Sequence, residues 1–200
     1  MMKPIHVRPR EPNSIASTRE LLCSWEYPRT TVAKCFAISE AGNINFGGVI
    51  AGTYAHIFVP DETDFEASIE DGVRPIVLTI VRDGGLITYT SCEGHDYGST
   101  DGGSECHVGV LPRTRAELRR ALKTFRYAAM RAAKNLAVSS VAVYPWHLYD
   151  RDSKREVPVV DMYLHRLTNV GWGRYIERRS LDAAHLASAL RAEFTDRAKT

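Results

Sequence analysis

Thr114-Arg115-Ala116-Glu117 is a capping box, and the apolar residues after it, Leu118, Ala121, Leu122, Phe125, Ala129, Ala132 and Leu136, recur at helical spacing over about five turns. No other segment has both a defined start and so long a stripe. Cys106 to Leu111, just before it, reads as a strand ending at Pro112. Val138 to Tyr144 and Val157 to Leu164, after it, read as two more strands joined by a polar loop over Pro145 to Glu156. A long amphipathic helix set among strands must lay its stripe on the sheet they form, which points to an α+β fold, a mixed sheet with helices packed mainly on one face.

Upstream the periodicities compete. Apolar residues at 73, 76, 77, 80 and 81 match the helix template, while Pro75 and the many β-branched residues favour a strand. The helix is the better match, with Gly84-Gly85 as its C-terminal cap, Ser68 as a candidate N-cap, and residues 86–90 as a strand that delivers Cys92 to its end. Thr30 to Ile38 reads as a strand and Gly47 to Val59 as extended chain, and Ser180 can cap a last helix ending near Phe194.

Two hundred residues, 44% of them hydrophobic, suffice for one core. Residues 1–20 hold three of the nine prolines with no apolar period and read as a flexible arm, leaving 21–200 as a single α+β domain. A net charge of +2 excludes a global polyelectrolyte role, so any nucleic-acid contact must come from local clustering. No run of eighteen apolar residues occurs, and the basic N-terminus lacks the apolar run of a secretory signal; a soluble cytoplasmic protein without membrane contact is the expectation. Cysteines at 23, 35, 92 and 106 do not look like a disulfide framework and are expected to be free, buried or metal-bound.

The chemistry concentrates between Thr90 and His107, which gather two of the four cysteines, two of the seven histidines and four carboxylates around a glycine-rich loop. Cys92-x-x-His95 has the spacing that lets a thiolate and an imidazole reach one zinc ion from a tight turn. Cys106 and His107 point to opposite faces if they lie on a strand, so one of them, His107 for preference, can complete three ligands. Glu93 would then be the general base for a metal-bound water, with Asp96 or Glu105 orienting the ligands. Without a metal, Cys92 could be a nucleophile activated by His95, and the Gly98 to Ser104 loop could cradle a phosphate.

Ser68 to His95, a capped helix, a glycine break and a strand leading to Thr90-Ser91-Cys92-Glu93-Gly94-His95, resembles the opening of the wybutosine-synthesis tRNA methyltransferases, where a Ser-Ser-Cys-Ser-Gly-Arg motif follows a helix and strand. It is similar also to uncharacterised bacterial and phage proteins with a Ser-Cys-Glu-Gly-His segment. Glu93 and His95 stand where the methyltransferases have serine and arginine. Cys92-Glu93-Gly94-His95 and His107-Val108-Gly109-Val110-Leu111-Pro112 further resemble the zinc segment of GTP cyclohydrolase I. That resemblance implies zinc on Cys92 and His95, while Gly94 falls where the family has its catalytic histidine.

Arg113, Arg115, Arg119, Arg120, Lys123, Arg126, Arg131 and Lys134 line the long helix and its approach against Glu117 alone. Arg113, Arg119, Arg120 and Lys123 are the candidates for holding the phosphates of a nucleotide-like ligand or of a nucleic acid, and acidic residues 61–71 are the candidates for balancing them. Asp161, Tyr163 and His165 share a strand face, as an acid–base group or as structural hydrogen bonders. Trp146-His147 and Gly171-Trp172-Gly173-Arg174-Tyr175 read as aromatic loop segments. Two functions follow: a small metal-assisted enzyme acting on a nucleotide-like or phosphate-bearing substrate, or a binding module for nucleic acid or protein with a structural metal or a merely packed Cys/His cluster.

Overall fold

Strands β2 (Ile87–Cys92), β3 (Cys106–Leu111), β4 (Ser139–Asp150) and β5 (Arg155–Arg166) are antiparallel neighbours in the order β4-β5-β3-β2. A short β1 (Ser14–Ile15) pairs in parallel with the outer side of β4. This is a computed structural model, and it describes residues 14–15, 18–26, 60, 65–96 and 103–197. The sheet is mixed and the fold α+β, as the element order implied. The strand read at 30–38 and the extended chain read at 47–59 lie outside the described residues.

Alternation along β3 and β5 decides which face is the core. Cys106, Val108 and Val110 stand beside Val160, Met162 and Leu164 on one face. Three helices cover it: α2 (Arg74–Leu78) with the wide turn Thr79–Asp83 that continues it, α3 (Arg115–Ala132) and α4 (Trp172–Arg197), through Ile76, Ile80, Phe125, Ala128, Leu186 and Leu190 among others. Each such isoleucine, leucine or phenylalanine side chain contributes roughly 1.5–3 kcal/mol through burial. On the other face α1 (Thr18–Glu26) sets Leu21 against Ile87, Tyr89, Leu111, Leu148 and Val159. No helix among the described residues is long and apolar enough to cross a membrane.

The capping box works as the sequence requires, with one change. Thr114 is extended (φ −141°, ψ 162°) and its hydroxyl accepts from the Glu117 amide at 3.1 Å, while the Glu117 carboxylate accepts from the amide of Arg113, one residue before the cap, at 2.6 Å. α2 forms with Pro75 in its first turn, where a missing amide costs nothing. Gly85, at φ 61°, then reverses the chain, its amide donating to Val81 O.

Several expectations are corrected. Ser68 is not a cap; its hydroxyl donates to Phe65 O within a turn, and α2 starts at Arg74 without a side-chain cap. The polar loop over 145–156 is instead a long hairpin with a turn at 151–154. Pro145 sits within β4, and this is tolerated because, among the described residues, only Tyr149 and Asp150 of β4 have a partner on the outer side. The final helix starts at Trp172, eight residues before Ser180, so Gly171 to Tyr175 is a helix start and not an aromatic loop. Tyr175 overrides the glycines: it is fully buried, and its hydroxyl donates to Leu164 O at 2.7 Å and accepts from Cys106 N at 2.8 Å. The arm read over 1–20 is structured at its described end, where Thr18 begins α1 and donates through its amide to Asp150 at 3.1 Å.

Candidate metal centre

The register of β2 on β3 sets Cys92 opposite His107, on one face, and turns Cys106 to the other. Cys106 is wholly buried in the helix-covered core, where burial drives its thiol pKa up. It is a packing residue. Past Cys92 the chain turns through Gly94 at φ 87°, where a Cβ would lie 2.7 Å from Ser104 O and 2.8 Å from Cys106 N. Glycine is therefore required there. The turn brings His95 into a two-hydrogen-bond bridge with Ser104, N to O at 2.9 Å and 2.8 Å, beside Cys92.

The third member of the group comes from elsewhere. Glu70, in the turn before α2, places Oε1 at 2.9 Å from His95 Nε2, and one ligand atom from each of Glu70, Cys92 and His95 lies within 4.8 Å of the other two. Backbone amides fix the donors: Glu93 N donates to Glu70 Oε2 at 2.7 Å, and Gly94 N donates to Cys92 Sγ at 3.3 Å. Burial raises the Cys92 thiol pKa, and the neighbouring Glu70 carboxylate adds to this, so a bound cation would be needed to keep the thiolate at neutral pH. The group could hold a metal ion.

The other predicted residues take different places. Glu93 is fixed on both oxygens, accepting from Gly72 N at 2.7 Å and from the buried Arg179 guanidinium at 2.6 Å. Its carboxylate is thus a clasp. The Glu105 carboxylate accepts from Arg166 N at 2.7 Å and pairs with His165 Nδ1, and it is not among the three grouped residues. His107 donates from Nδ1 to Glu105 O at 3.1 Å, stacks on Tyr163 with centroids 5.0 Å apart, and is not among the three grouped residues; burial lowers its pKa. Asp96 is exposed next to the grouped residues. Of the Gly98–Ser104 loop, only Gly103 and Ser104 are among the described residues.

One of the basic residues, Arg113, is remote from the group. Arg113 donates to Gly85 O at 3.0 Å, at the Ile87–Leu111 end of the β2–β3 pair, so a strand length of about 17 Å separates it from the Cys92 end. Arg113 and Arg120 pair with Glu117, and Arg131 pairs with Glu193 and Asp196 of α4. The described acids of 61–71 balance other groups: Glu66 pairs with Arg82, Asp71 with Arg74 and Glu70 with His95.

No family model, curated protein or solved structure matches this chain. Its functional reading therefore rests on the geometry. Sequence reasoning missed Glu70, Gly72 and Arg179. Glu70 lay in a stretch read only as an acidic counterweight, 22 residues before Cys92, and the pairing of that turn with the end of β2 has no local sequence signal.

Proposed function

We propose that the chain is a small metal-assisted enzyme that holds zinc through Glu70, Cys92 and His95. The observation that carries this is the convergence of three ligand types of the right kind within 4.8 Å, two of them oriented by backbone amides. Three protein ligands are the number found in catalytic zinc sites, where the ion's role is to lower the pKa of a bound water or polarise a substrate oxygen. The chain's own contribution is positioning: Glu93 orients Glu70, and Ser104 lies 3.8 Å from the Cys92 sulfur. A phosphate-bearing or nucleotide-like substrate rests on the basic residues of α3 and the local resemblance alone, and the metal reading stands without it. Metal analysis of tag-free protein tests the proposal. About one zinc per chain is expected, lost in Glu70→Gln, Cys92→Ser and His95→Ala while the circular dichroism spectrum is kept. A native protein that contains no metal and takes up none would overturn it.

A second reading has its own observation. Arg115, Arg119, Lys123, Arg126 and Lys134 are exposed along the outer side of α3 and the turn after it, and none makes an ion pair among the described residues. At 100° per residue they fall on one stripe opposite Ala121, Phe125, Ala128 and Ala132, about 28 Å long. Such a stripe suits a nucleic-acid phosphate backbone, with the metal then structural. Five contacts to a duplex give a log–log salt slope of about −4.5. Titration of a fluorescent duplex at several salt concentrations checks this, with binding lost in an Arg119→Glu, Lys123→Glu, Arg126→Glu variant.

A further inference from the structure

The sheet face that carries Cys92 holds a second arrangement that uses none of the three grouped residues. Glu105, just before β3, pairs with Nδ1 of His165 on β5, and Nε2 of the same ring meets the Tyr144 hydroxyl of β4 at 2.8 Å. With the carboxylate on Nδ1, that nitrogen carries the proton, so Nε2 accepts and Tyr144 donates. Three constraints hold this order. The second Glu105 oxygen is anchored by Arg166 N at 2.7 Å. The His165 ring is stacked on Tyr163 at an interplanar angle of 8° with centroids 5.3 Å apart. His165 is buried, whereas Tyr144 is half-buried. A carboxylate fixes the tautomer, an imidazole presents its lone pair, and a hydroxyl points its proton at that lone pair, which is the logic of an activated nucleophile.

We infer that Glu105, His165 and Tyr144 form a proton relay that activates the Tyr144 hydroxyl as a nucleophile toward carboxylic esters and related acyl donors. In the step, a bond forms between the Tyr144 oxygen and the acyl carbon while the phenolic proton passes to His165 Nε2. The bond to the alcohol leaving group then breaks, and the leaving oxygen takes the proton from His165. Water, deprotonated by His165 in its turn, releases the carboxylic acid and restores the phenol. Glu105 is a positioning residue: it holds the ring and balances the imidazolium. The relay does not require a bound metal.

Ionisation alone predicts the opposite behaviour, which makes the test sharp. Burial, reinforced by the Glu105 charge, raises the Tyr144 pKa, so an unassisted Tyr144 must acylate more slowly than the exposed Tyr127 and Tyr149. Brief treatment of the full chain with p-nitrophenyl acetate near neutral pH, with peptide mass spectrometry, measures acetylation at each tyrosine. Tyr144 is expected to acetylate at least about tenfold faster than Tyr127 and Tyr149. His165→Gln should lower the Tyr144 rate at least about tenfold, and Glu105→Gln by a smaller factor, with both exposed tyrosines unchanged. A native circular dichroism spectrum shows that the variants are folded, and Glu105→Gln, which keeps an acceptor for Arg166 N, serves if His165→Gln does not fold. Tyr144 labelling no faster than Tyr127, or insensitive to the variants that fold, overturns the relay.

Discussion

The amide of Glu93 donates to the Glu70 carboxylate at 2.7 Å, and the Glu93 carboxylate accepts in return from the Gly72 amide, also at 2.7 Å. These two bonds staple the end of β2 to the turn before α2 and put Glu70 beside Cys92 and His95. The arrangement tolerates little side-chain volume, since a Cβ on Gly72 would lie 2.7 Å from Glu93 Oε2. Arg179 completes the staple from α4, with its side chain 8% exposed and that of Glu93 22% exposed. Glu93→Gln leaves the guanidinium buried without its counter-charge, so unfolding stability should fall by about 3 kcal/mol, the lower end for a buried pair broken from one side. Urea denaturation measures this. Adding Arg179→Met to Glu93→Gln should restore part of the loss, and a double variant less stable than either single one would contradict the pairing.

Two glycines with positive φ separate strain from crowding. Gly85, at φ 61°, has open space within 4 Å of where a Cβ would stand, whereas Gly94, at φ 87°, would press a Cβ against Ser104 O and Cys106 N. Gly85→Ala is expected to cost only the left-handed backbone penalty, about 1–2 kcal/mol. Gly94→Ala should cost more than Gly85→Ala, because backbone atoms must also move, and should weaken metal uptake by displacing His95. Comparing the two variants by thermal unfolding and metal titration checks both statements.

Cys92 and Cys23 are free thiols in opposite surroundings. Cys23 is exposed, while Cys92 is buried and its pKa is raised by that burial and by the nearby Glu70. Alkylation by iodoacetamide needs the thiolate and access, so in metal-free protein near neutral pH Cys23 should react at least about tenfold faster than Cys92. Faster reaction at Cys92 would revive its reading as a nucleophile.

The elements with local signals were legible in the sequence. Thr114 and Glu117 announced α3, the spacing of Val73, Ile76, Val77 and Ile80 announced α2 over a competing strand pattern, and Gly84-Gly85 announced its end. Boundaries failed where tertiary contacts overrule local chemistry. Pro145 and the polar residues after it hid the second half of β4, because a proline with no outer partner among the described residues leaves the β4–β5 pairing intact, and the buried hydroxyl of Tyr175 draws the glycine-flanked Trp172 into α4. At the site, Cys92 and His95 were readable because their partnership is three residues long. Glu70 reaches them through a contact between non-adjacent segments, and the swing of Glu105 toward His165 follows from a strand register that no local pattern encodes.

Asp161 makes stability depend on pH in a direction opposite to that of most carboxylates. It is 4% exposed on β5, and burial pushes its pKa up to about 6 from an ordinary 3.8, against the lowering effect of the Tyr89 hydroxyl that donates to it at 2.6 Å. A carboxyl that holds its proton more tightly when folded favours the native state while it is protonated. Its contribution is therefore complete below the unfolded pKa near 3.8 and is lost as pH rises through about 6. The shift corresponds to a loss on the order of 3 kcal/mol across that window. Asp161→Asn keeps an acceptor for Tyr89 and cannot ionise, so it should be more stable than the native protein above pH 6 and should lack this component of the decline. Tyr89→Phe removes the donor that the carboxylate needs, so it should destabilise the protein more at pH 7 than at pH 4. Chemical denaturation of the three proteins between pH 4 and 8 gives the slopes, and a native slope shared by Asp161→Asn would show that Asp161 is not its source.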